Sequence, residues 1–224
     1  MANKYSQGFS LVVNKIKKEE EIDDKEYKQY LKNFIFLGQF TQESNKIIVS
    51  DPGYLFDPTK DKSKWNSINH LFVFDKVLKG SWNVWAYKDD ECIFELVAIS
   101  CPFDILKYPK ATNYHFDNRE WETAATVCVD SGQIGIYDFK YYRDDNNLDK
   151  YKIWNQIEED GDKWYAANCY ITQKYGADII HNGCVSKTYM GDGLYNVEIL
   201  KFENKVAGIR IVFDNIYDSD TDSE

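Results

Sequence analysis

Large apolar residues along this chain recur mainly at every second position in short runs, the period of a half-buried strand. Trp82, Val84 and Ala86 alternate with Asn83, Trp85 and Tyr87. The polar segment Lys88-Asp89-Asp90-Glu91 follows, and a second run extends over 92–99. Two such runs around a polar turn predict a β-hairpin. A C-terminal hairpin is predicted from 195–202 and 206–213, joined by Glu203-Asn204-Lys205. Further strand-like runs lie at 9–13, 46–50, 71–78, 123–129, 134–139, 164–172 and 178–185.

Two segments carry the helical period instead. Tyr27, Tyr30, Leu31 and Phe34 stand at i, i+3, i+4 and i+7, with Asp23 and Glu26 as a capping pair and Gly38 as a stop. They predict a helix over about 24–37. A second, inserted helix is predicted over 146–158, with Leu148, Tyr151 and Trp154 or Asn155 on one stripe. Closely spaced strands without alternating helices argue against βαβ units. The expected fold is mainly β, an antiparallel sandwich or partly closed barrel with an N-terminal helix and one inserted helix. A single domain is expected over 1–213, divided into a helical N-terminal arm (1–45) and a β body (46–213).

Composition narrows the function classes. Leu, Ile, Val and Phe make up about a quarter of the 224 residues, too many for wholesale disorder. Mean hydropathy is −0.57, and no apolar run reaches the roughly 18 residues of a membrane-spanning helix. No membrane role is expected. The net charge is −10, and half of it sits in 214–224, where Asp214, Asp218, Asp220, Asp222 and Glu224 have no basic neighbour. That stretch is expected to be a disordered acidic tail, with Ser219 and Thr221 in a pattern that acidophilic kinases accept. An acidic body disfavours phosphate-backbone contacts, so no nucleic acid is expected as partner. The five cysteines are odd in number and form no C-x-x-C pair, which excludes a disulfide framework and a zinc ribbon. With no apolar signal segment near Met1, and Ala2 where myristoylation needs glycine, a cytoplasmic or nuclear location is expected, not secretion.

Candidate chemistry lies where apolar runs end in an acid beside glycine or proline: Ser50-Asp51-Pro52-Gly53-Tyr54, Val129-Asp130-Ser131-Gly132-Gln133 and Gly191-Asp192-Gly193-Leu194-Tyr195. If the three ends meet, Asp51, Asp130 and Asp192 form a carboxylate cluster. Its oxygens suit Mg²⁺ or Ca²⁺, or one raised pKa creates a general acid/base pair. Ser131 and Gln133 would then position substrate, with Tyr195 also in the binding set. The plain alternative is that Asp and Gly are ordinary turn formers. Ser131 as a nucleophile lacks the first glycine of a G-x-S-x-G elbow. His181 and Cys184 would face each other if Asn182-Gly183 were a hairpin turn, which would allow a thiolate–imidazolium pair. The tryptophans Trp82, Trp85, Trp121, Trp154 and Trp164 are read mostly as core.

These segments, with Gly80-Ser81-Trp82, Gly183-Cys184-Val185-Ser186 and Gly208-Ile209-Arg210-Ile211-Val212-Phe213, occur in an order that resembles a family of uncharacterised proteins of bacteria, some eukaryotes and large DNA viruses. The resemblance spans about 46–213 and implies a mostly β domain. Where the family carries a serine–glycine pair before G-D-G, this chain has Lys187-Thr188-Tyr189-Met190. No complete catalytic motif is present. The expected function is therefore a non-enzymatic interaction module holding a protein partner and needing no cofactor. The composition, rich in Lys, Asn, Ile and Tyr, hints at a viral or microbial origin. The alternative is a hydrolase assisted by metal (Mg or Ca) or by acid/base catalysis, with Asp130 and Asp192 as main carboxylates and Asp51 as a third.

Overall fold

The computed structural model describes residues 32–55, 70–103, 121–146, 148, 151 and 161–213. Eleven strands and one α-helix make up their regular structure, with two short 3₁₀ turns. The strands are β1 (Phe34–Gln42), β2 (Lys46–Ser50), β3 (Leu71–Asp75), β4 (Gly80–Asp89), β5 (Cys92–Ser100) and β6 (Glu122–Val129). They continue with β7 (Gln133–Asp138), β8 (Ala177–Ile180), β9 (Gly183–Lys187), β10 (Gly193–Phe202) and β11 (Lys205–Val212). The helix is α1 (Lys163–Tyr175).

The strands form two antiparallel sheets, neither closed into a barrel. One runs β1-β4-β5-β11-β10-β6 and the other β3-β2-β7-β9-β8. Between them lies the main core. Trp82, Val84, Leu96, Ile209 and Ile211 from the first sheet meet Ile47, Val49, Ile134 and Ile136 from the second. The second sheet is covered on its other face too. Ile48, Val73, Tyr137 and Val185 pack there against Trp164, Ala167 and Ile171 of α1. That double coverage explains why all six residues of β7 are buried.

Both predicted hairpins are present, as β4–β5 and β10–β11. The mainly β sandwich is therefore as expected, but the helices are not. The strand predicted at 164–172 is helix α1. Its buried residues Trp164, Ala167, Asn168, Ile171 and Thr172 follow i, i+3, i+4, i+7, i+8, a period hidden by strand-favouring aromatics. The predicted N-terminal helix also fails at its end, since Phe34 to Leu37 belong to β1. Gly38, expected to stop that helix, has φ 140° and sits at a β-bulge against Ile179. Residues 24–31 of that helix lie outside the described residues, as do the strand at 9–13, the acidic tail and Trp154. Of the inserted helix, Leu148 and Tyr151 are buried core residues, and most of the remainder lies outside the described residues.

Candidate functional site

The three strand-end acids do come to one end of the sandwich. β2 ends at Ser50, so Asp51 follows it. The next strand in that sheet, β7, is entered from β6 through 130–132. Val129 pairs with Gly193 across β6 and β10, which sets Asp192 beside this turn. Thr188 N–H donates to the Gly132 carbonyl at 2.9 Å, tying the 188–192 loop to it.

Asp51 is 1% exposed, and its carboxylate is fully engaged. Oδ1 accepts from Gly53 N–H (2.7 Å) and Ser131 Oγ–H (2.5 Å). Oδ2 accepts from Asp130 N–H and Ser131 N–H, both at 2.8 Å. Two donors on each oxygen make this side chain a clamp between two loops. They also leave it poorly placed to ligate a cation.

Other residues of the expected set serve the same end. Gln133 is buried, its Nε2 at 3.3 Å from Cys169 Sγ and its Oε1 accepting from Thr172 Oγ–H at 3.0 Å. Tyr195 donates its buried hydroxyl to the Gly191 carbonyl at 2.7 Å, and Thr188 Oγ–H donates to the same oxygen at 2.5 Å. Ser131 spends its proton on Asp51 and also hydrogen-bonds Tyr165 of α1. Burial, aided by the nearby Cys169 thiol, pushes the Tyr165 phenol up to about 12. Arg143 closes the assembly, donating to the Pro52 (3.1 Å) and Tyr54 (2.9 Å) carbonyls and pairing with Asp162. Asp130 and Asp192, by contrast, turn their carboxylates outward; the Asp130 side chain is 63% exposed.

The pairing of His181 with Cys184 does not form. The turn is His181–Asn182, with Ile180 opposite Gly183, so Cys184 pairs with Ile179 and faces the core. Burial drives its thiol far up, and His181 packs edge-on to Tyr141 instead. Trp82 and Trp164 are core residues, as expected. All five cysteines are free thiols.

A different histidine meets a thiol at the acidic end. His70 Nδ1 lies 3.7 Å from Asp130 Oδ2 and 3.2 Å from the Cys128 carbonyl. Cys128 Sγ lies 3.7 Å from Asp130 Oδ1. One ligand atom from each of the three residues falls within 4.8 Å of the other two. Tyr54 stacks on the imidazole with ring centroids 3.7 Å apart. Burial first, then Asp130, raises the Cys128 thiol, and Asp51 and Asp192 add to the effect. Sequence reasoning missed this group because His70 and Cys128 are far apart in the chain. The signal available was Cys128-x-Asp130, two positions that share one side of a strand end. Comparison with protein-family models, curated proteins and solved structures returned no match. Among the described residues no helix is long and apolar enough to cross a membrane.

Proposed function

We propose that this protein is a non-enzymatic binding module that holds a protein partner where its 51–54, 130–132 and 188–192 loops meet. One observation carries the reading: buried polar groups at this end are spent on joining the loops, while Tyr189, Met190, Asp130 and Asp192 are left exposed. Tyr189 and Met190 are 40% and 45% exposed, and Tyr189 is braced on Phe94 at 4.6 Å between ring centroids. Aromatic and thioether side chains are enriched in protein interfaces, where their burial supplies the driving force. The two carboxylates set the partner's chemistry, an apolar side chain flanked by Lys or Arg. A reducing cytoplasmic or nuclear setting suits the free thiols and is part of the same proposal. So are a viral or microbial origin and kinship with the uncharacterised family that the strand-end segments resemble.

The test places a photo-crosslinking amino acid at position 189, with position 201 at the far end of β10 as control, in extract of the source cells. One stoichiometric partner should attach at 189 and not at 201. Its affinity should fall at least tenfold in Tyr189→Ala and in Asp192→Lys and stay unchanged in Lys201→Ala. No stoichiometric partner, or one bound equally by all three variants, overturns the reading.

The hydrolase alternative retains one supporting observation, that Asp130 and Asp192 flank the same pair of loops. Asp51, its third carboxylate, is already occupied by four donors. A rise in melting temperature with Mg²⁺ or Ca²⁺, lost in both Asp130→Asn and Asp192→Asn, would favour it.

A further inference from the structure

We propose that His70, Cys128 and Asp130 bind a thiophilic divalent cation, with Zn²⁺ as the reference ion. The inference does not rest on the partner reading. Imidazole nitrogen, thiolate sulfur and carboxylate oxygen are the three ligand types of zinc sites, whereas Mg²⁺ and Ca²⁺ take oxygen almost alone. Tetrahedral zinc with ordinary bond lengths sets neighbouring N, O and S ligand atoms about 3.4–3.6 Å apart. Here Nδ1 lies 3.7 Å from one oxygen of Asp130 (Oδ2) and Sγ lies 3.7 Å from the other (Oδ1). With one ligand atom of each residue within 4.8 Å of the other two, closing on a cation needs the Asp130 carboxylate to turn one oxygen to both neighbours and Nδ1 to give up its contact with the Cys128 carbonyl, while the backbone of β6 stays in place.

The triangle is also held from behind. Asp51 fixes the backbone of Asp130 and Ser131, so the carboxylate leaves from an anchored Cα. Tyr54 lies flat on the imidazole and limits its rotation. Cys128 projects from β6 between Val127 and Val129, whose side chains are buried in the core. Such support of ligands by a second set of contacts is what tightens metal sites. The local field suits a cation, since Asp51, Asp130 and Asp192 all act on the Cys128 thiol. On binding, the thiol proton leaves to solvent and the thiolate sulfur donates an electron pair to the metal. Water completes the fourth position.

Co²⁺ is the probe, because cobalt–thiolate bonding gives a charge-transfer absorption that oxygen-only sites lack. The full-length protein should take up one equivalent of Co²⁺ with that band, and Zn²⁺ should displace it. Cys128→Ser should abolish the band, while Cys92→Ser and Cys169→Ser keep it. His70→Gln and Asp130→Asn should each weaken binding about tenfold or more. A second readout avoids variants: Zn²⁺, and not Mg²⁺, should protect Cys128 of the wild-type protein from iodoacetamide, as located by mass spectrometry. A thiolate band that survives in Cys128→Ser, no uptake of Co²⁺, or equal alkylation of Cys128 with and without Zn²⁺ would overturn the proposal.

Discussion

Each oxygen of the Asp51 carboxylate accepts two hydrogen bonds, so truncating the side chain strands four donors at once. Leaving a buried donor unsatisfied costs about 1–3 kcal/mol, and part is recovered where water can enter. Asp51→Ala should therefore lose about 3–5 kcal/mol of unfolding free energy. Asp192→Asn and metal-free Asp130→Asn should stay within about 0.5 kcal/mol, because those carboxylates face water. Urea denaturation of the three variants checks this, and an Asp51→Ala protein as stable as wild type would remove the clamp. At this scale the sequence was legible in one respect. An acid beside Gly or Pro at the end of an apolar run marks a loop, and all three such loops are neighbours. Which acid is buried was not legible, because that depends on donors from another loop, Asp130 N–H and Ser131 N–H, nearly eighty residues away. A separation of 58 residues likewise hid the approach of His70 to Cys128.

At the scale of elements, α1 depends on its first turn. Asp162 caps it, Oδ1 accepting from Tyr165 N–H at 3.0 Å, while Oδ2 pairs with Arg143. One side chain thus starts a helix and fastens it to the loop after β2. Asp162→Asn keeps a capping oxygen and loses the ion pair, and Asp162→Ala loses both. The Ala variant should be destabilised by about 2 kcal/mol and the Asn variant by about half of that. Equal losses in guanidinium denaturation would show that the cap contributes nothing. Local chemistry decided which elements could be read from sequence. The β10–β11 hairpin turns on Glu203 and Asn204, both at positive φ (48° and 63°), the two-residue turn that suits strand twist. Such a turn is written in adjacent residues. Helix α1 is not, since Trp, Tyr and Ile favour strands and only packing on Tyr137 and Val185 selects the helical stripe.

Across the whole molecule, three layers put many tyrosines out of water, and the class of fold was legible because alternation survives in the two-sheet core. The third layer was not, for the reason just given. Burial raises the phenols of Tyr87, Tyr137, Tyr142, Tyr165 and Tyr195 above the ordinary value of 10.0. A phenol raised in the folded state favours folding while it stays neutral, so that contribution is complete below pH 10 and is lost as pH climbs toward 12. Stability should be flat from neutral pH to about 9 and then fall steeply, with tyrosinate absorbance rising together with loss of structure. Tyrosinate appearing fully before unfolding would contradict the buried positions. The sheet order carries one more consequence. Strand β11, last of the eleven, lies in the middle of the six-stranded sheet, with Gly208 opposite Ile99 in β5. On a ribosome adding about 5–20 residues per second, the β4–β5 hairpin must wait on the order of ten seconds for that neighbour. Throughout that interval its unpaired edge is open to other nascent chains, so yield in a foreign host should depend on chaperone supply more than on final stability.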